Sequence, residues 1–104
     1  MDLTNMSKIA KSTSQLRGKF YTISDDSTEL FFKDLAGEVT EATAAGILYN
    51  DSGRTRGKDE LAEELADVII TTMVIAARFD VDLEKAVIDK LAYNIGRDDR
   101  KECC

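Results

Sequence analysis

Ten consecutive residues, Val68 to Ala77 (VIITTMVIAA), carry no charge and lie within a segment of helical spacing that runs from about Asp59 to Phe79. Wound as a helix, this stretch is apolar on every side, and only a helix surrounded by its environment tolerates that. Ten residues cannot cross a bilayer, which takes about twenty, so the surroundings must be protein. A chain of 104 residues and 11.5 kDa is one small domain over 1–104 and can barely enclose one of its own helices. Self-association, most simply across a two-fold axis, is therefore expected.

The rest of the chain is consistent with a helical bundle. Leu3, Met6, Ala10, Thr13, Leu16 and Phe20 recur at three- and four-residue steps and predict a first helix over about 3–20. The polar segment TISDDS (22–27) reads as a turn, and Asp26 with Glu29 has the spacing of a capping box opening a second helix to about Asn50. NDSGRTRGK (50–58) is the one clear loop, ahead of the third helix. Asp82 is placed to cap a fourth helix reaching about Arg97, with Val81 and Ala86 as a hydrophobic staple. Four helices with short connections predict an all-α, four-helix bundle. A barrel or sandwich is excluded by the absence of proline and the six glycines, too few for many tight turns.

Composition narrows the chemistry. Histidine is absent, which removes imidazole bases, Ser-His-Asp triads and His-ligated zinc. Twenty acidic against fourteen basic residues leave a net charge of −6, against a surface for duplex nucleic acid. The two cysteines, Cys103 and Cys104, are adjacent at the end of the chain, where they neither staple the fold nor make a zinc site. The first residues (MDLTNMSKIAKSTS) lack the apolar run of a signal peptide, so a cytoplasmic setting without membrane contact is expected.

The chemistry that remains is carried by carboxylates in unusual places. On a helical wheel with Glu38 at zero, Phe31 falls at about +20°, Leu35 at about +60°, Ala42 at about +40° and Ala45 at about −20°. Glu38 is thus in the middle of an apolar stripe, with Glu41 about 60° to one side. The third helix repeats the pattern: Leu61, Val68, Thr71 and Ile75 cluster around Glu64, and Asp67 lies to the same side as Glu41 does from Glu38. A buried carboxylate without a partner costs several kcal/mol, so a stable fold has to neutralise the four by protonation, by Lys or Arg, or by cations. Side chains three apart on a helix converge within roughly 5–6 Å, a spacing that favours cations. All-oxygen ligands suit Mg²⁺, with Mn²⁺ as a substitute, and one divalent ion does not balance four carboxylates.

The fourth helix carries the opposite sign. Lys90, Asn94 and Arg97 share one face, which Lys101 extends if the helix continues. Such a row either complements the helix dipole or clamps phosphate oxygens. Arg54, Arg56 and Lys58 in the loop are further cations.

These residues resemble a known family. LAGEVTEA (35–42), then EELADV (63–68), then DLEKAVIDKLAYNIGR (82–97) are similar to the ExxE, ExxD and KxxxNxxR motifs of the MazG-type all-α NTP pyrophosphohydrolases. The likeness runs from about Phe31 to Arg97, roughly two thirds of the chain. It implies that Glu38, Glu41, Glu64 and Asp67 hold Mg²⁺, and that Lys90, Asn94 and Arg97 contact the triphosphate. It also implies cleavage of a nucleoside triphosphate between its α and β phosphates and assembly as a dimer or tetramer. Glu38 is the residue expected to orient the attacking water. Gly37 departs from the pattern, since the family usually has Glu there. Phe20, Tyr21, Phe31 and Phe32 are the aromatic candidates for contact with a base. Two alternatives remain: phosphoribosyl-ATP as substrate, as in a related group, and a non-catalytic helical interaction module.

Overall fold

The computed structural model describes residues 2–97; Lys101, Cys103 and Cys104 lie outside them. Four helices follow in order, α1 (Leu3–Leu16), α2 (Asp25–Asp51), α3 (Lys58–Arg78) and α4 (Leu83–Gly96), with no strand among the described residues. None of these helices is long and apolar enough to cross a membrane.

The ends of the helices have local causes, and two differ from the sequence expectation. α1 stops at Leu16 and does not reach Phe20. Gly18 takes the left-handed conformation (φ 70°), its N–H donating to Gln15 O and that of Lys19 to Ser14 O, at 3.2 and 2.8 Å. This is a Schellman close, which satisfies the last carbonyls and turns the chain sharply. α2 is opened by Ser24 and Ser27, not by Asp26 and Glu29. The Ser24 hydroxyl accepts from Ser27 N–H at 3.1 Å, and the Ser27 hydroxyl accepts from Ser24 N–H at 2.9 Å. A serine at the cap itself outcompetes an acid inside the first turn, because only the cap residue's side chain faces the free N–H groups.

α3 closes as α1 does, with Asp80 in the left-handed region (φ 55°) and Val81 N–H donating to Ala76 O at 2.8 Å. Asp tolerates that conformation better than most residues. Asp82 caps α4 as expected, accepting from Lys85 N–H at 3.1 Å. Val81 and Ala86 are both exposed, so the expected staple buries neither.

α2 and α3 form the main packed pair, and α1 lies along α3. Their shared core is Ala10, Phe31, Met73, Val74 and Ile75, with Leu3, Phe20, Tyr21, Leu35, Phe79 and Leu83 closing around it. Phe31 is only 2% exposed and meets Tyr21 and Phe79 edge-on, with ring centroids 4.8 and 5.9 Å away. Truncating it to alanine should cost about 3–5 kcal/mol.

The bundle does not close within one chain. α4 packs chiefly on α1, holds no buried residue and exposes Ile88, Leu91 and Ile95 in one row. On α3 only Met73–Ala76 are buried, while Leu65, Ile69 and Ile70 face outward. The radius of gyration, 16.3 Å, exceeds the roughly 13 Å of a compact domain this long.

Candidate functional site

The antiparallel packing of α2 on α3 carries the two acidic pairs toward each other. Carboxylate oxygens of Glu38, Glu41 and Glu64 lie within 4.8 Å of one another, close enough to share a metal ion. Glu38 and Glu64 are half-buried, as their places in apolar stripes require, and Glu41 is exposed. The Oε2 atoms of both Glu38 and Glu64 are shielded from solvent and have no hydrogen-bond partner among the described residues. Burial pushes the Glu38 carboxyl above the ordinary carboxylate value, and the charges of Glu41 and Asp67 push it further. The Glu64 carboxyl is raised too, first by burial and then by the Glu41 carboxylate beside it. Asp67 is exposed and stands outside the tight trio, yet near enough to act on both.

Three acids held together with two oxygens unpartnered are unfavourable unless a proton or a cation joins them. The donor set is entirely carboxylate oxygen, which fits a hard divalent ion. Glu38, Glu41 and Glu64 could hold it, and Asp67 could complete its surroundings.

The cluster borders a cleft of about 340 Å³ between α1, α2 and α3. Besides Glu38 and Glu41, its wall holds Asp34, Gly37 and the cations Arg17, Lys19 and Lys33. Asp34 lies one turn before Glu38, a spacing legible in the sequence; it accepts from the Tyr21 hydroxyl at 3.0 Å. Burial raises the Tyr21 phenol above its ordinary value, and its bond to the Asp34 carboxylate raises it further. Arg17 and Lys19 had no sequence signal, because their direction is set by the turn at Gly18.

The basic row on α4 is placed elsewhere. Lys90, Asn94 and Arg97 are exposed, and none of them lines the cleft of its own chain. Lys90 Nζ and the Arg97 guanidinium instead sit 4.5 and 5.7 Å from the centre of the Tyr93 ring. Arg54, Arg56 and Lys58 do not line the cleft either. Of the aromatic candidates, Phe31 is core, while Phe20 is half-buried with the Arg78 guanidinium 4.9 Å from its ring centre. Phe32 is exposed beside Phe79 in a separate apolar groove.

Comparison with known proteins agrees with an acid-rich helical hydrolase. Residues 7–93 match a family model described as phosphoribosyl-ATP pyrophosphohydrolase. No curated protein and no solved structure matches the chain.

Proposed function

Because the chain belongs to the phosphoribosyl-ATP pyrophosphohydrolase family, within the MazG-like all-α nucleotide pyrophosphohydrolases, we propose that it hydrolyses the α–β phosphoanhydride of a nucleotide triphosphate group with a divalent cation. The products are a nucleoside monophosphate derivative and pyrophosphate. The sequence resemblance pointed first to free (d)NTPs; the family match favours phosphoribosyl-ATP, the alternative, and both substrates carry the same scissile bond.

The observation that carries this reading is the convergence of Glu38, Glu41 and Glu64 around two unpartnered oxygens at the edge of a cleft. Mg²⁺, or Mn²⁺ in its place, would offset the negative charge of the phosphate oxygens and would lower the pKa of a water bound to it. Glu38, Glu41 and Glu64 would hold it, with Asp67 completing its surroundings. Glu38, half-buried in the apolar stripe of α2 and lining the cleft, orients water toward the α phosphorus for in-line displacement. Lys90, Asn94 and Arg97 can serve the phosphates only if a second copy presents its α4. The exposed rows Leu65–Ile69–Ile70 and Ile88–Leu91–Ile95 support such self-association, since they leave apolar surface uncovered in one chain.

The test is pyrophosphate release from phosphoribosyl-ATP and a panel of dNTPs, with and without Mg²⁺, for the wild type and for Glu38→Gln and Asp67→Asn. Hydrolysis should require the cation and vanish in both variants, with the helical circular dichroism intact. Wild-type turnover in either variant removes that residue from the site. An interaction module, by contrast, would bind Mg²⁺ no better than any acidic surface and release no pyrophosphate.

A further inference from the structure

The carboxylates explain where a cation would sit, and they leave open what holds the far end of a polyanionic substrate within the same chain. Arg17, Lys19 and Lys33 line the cleft with Glu38 and Glu41. None of the three forms an ion pair among the described residues, although carboxylates line the same cleft. Their presence is not a matter of loose side chains on a wandering loop. The Schellman close at Gly18 fixes the backbone of Arg17 and Lys19 through two hydrogen bonds. A few residues on, the Tyr21 hydroxyl ties the same segment to Asp34 on α2, and the Tyr21 ring packs on Phe31. The turn is thus anchored at both ends, and Lys33 adds its charge from the neighbouring turn of α2.

We infer that Arg17 and Lys19, with Lys33 beside them, are the phosphate-recognising residues of the cleft and bind the pyrophosphate portion of the substrate. This deepens the proposed pyrophosphohydrolase reading and rests on it. Arg suits the role by offering a planar fork of donors to two phosphate oxygens, and Lys by acting as a point charge. Carboxylates and cations on one cleft wall divide the work. The acids attract the metal that neutralises the reacting phosphate, and the cations hold the oxygens the metal does not reach. The anchored turn removes the cost of ordering the backbone that carries the two side chains on binding.

The experiment uses inorganic pyrophosphate with Mg²⁺ as the probe, titrated calorimetrically into the wild type, the double variant Arg17→Ala/Lys19→Ala, and the charge-keeping exchange Arg17→Lys/Lys19→Arg. The alanine variant should bind roughly ten- to a hundredfold more weakly, the range of lost charge-assisted contacts. The exchange variant should fall between the two, recovering part of the lost affinity because it keeps both charges, and not all of it because it moves the guanidinium fork. Mn²⁺ binding, followed by electron paramagnetic resonance without pyrophosphate, should be undiminished in both. Wild-type pyrophosphate affinity in the alanine variant overturns the inference. So does an equal loss in the exchange variant, which would mean that packing rather than charge is at stake. The two readings fail separately. If no nucleotide is hydrolysed while pyrophosphate binding still depends on Arg17 and Lys19, the proposed reaction falls and the anion site stands.

Discussion

Gly37 offers the sharpest check on the geometry of the cleft wall. It lies near the middle of the 27-residue α2, is exposed, and does not adopt a positive φ. A Cβ built there meets no atom within 4 Å. Nothing therefore opposes a methyl group, and the only remaining effect is the conformational freedom that glycine loses on entering a helix. Gly37→Ala should stabilise the protein by about 0.5–1 kcal/mol, the helix-propensity difference between the two residues. For a domain of this size that corresponds to a rise in Tm of roughly 2–6 °C. The assay is thermal and urea denaturation of both proteins at one protein concentration, because any self-association would make Tm depend on concentration. An unchanged urea slope with a shifted midpoint would confirm that only stability moved. A loss of stability would refute the reasoning, since it would mean that the methyl group meets something, such as a second copy covering this face of α2.

Four further outcomes follow from the site and the surfaces. In the absence of metal, Glu38 and Glu64 hold their protons more tightly in the folded than in the unfolded chain. The stability this contributes is present in full below the ordinary value of 4.5 and is lost as pH rises through the raised native values. With chelator present, Tm should therefore fall more steeply as pH rises above about 4.5 in the wild type than in Glu38→Gln, and an identical slope would refute the placement of Glu38. Ile69→Glu should impair assembly in sedimentation while leaving the fold, because Ile69 is 55% exposed. Met73→Glu should instead prevent folding, since Met73 is buried within its own chain and a charge there has no partner. Lys90→Ala should change stability by no more than about 0.5 kcal/mol, as at other exposed positions. If a second copy's α4 reaches the phosphates, the same variant loses roughly ten- to a hundredfold in kcat/KM. Slightly lower stability with intact kinetics would return the row to a helix-dipole role.

The sequence by itself determined the elements and the unusual acids. Apolar periodicity together with capping residues placed all four helices, and the wheel positions of Glu38 and Glu64 foretold carboxylates half-buried in apolar faces, as α2 and α3 show. Such properties are local, since they depend only on the 100° step of the helix and on burying one stripe. What the tertiary structure decided is everything that depends on which surfaces meet. Val68 to Ala77 was expected to be surrounded on every side. The packing of α1 on α3 buries Met73 within the chain and leaves Ile69 and Ile70 outside, a partition that no periodicity encodes. α4 carries a recognisable amphipathic pattern, yet packs chiefly on α1, and its basic row lies outside the cleft it was expected to serve. Arg17 and Lys19 entered that cleft because of one left-handed glycine, which ended α1 before Phe20 and redirected the chain. A helical wheel assigns a residue to a face; the turn and the packing of neighbouring helices determine what that face meets.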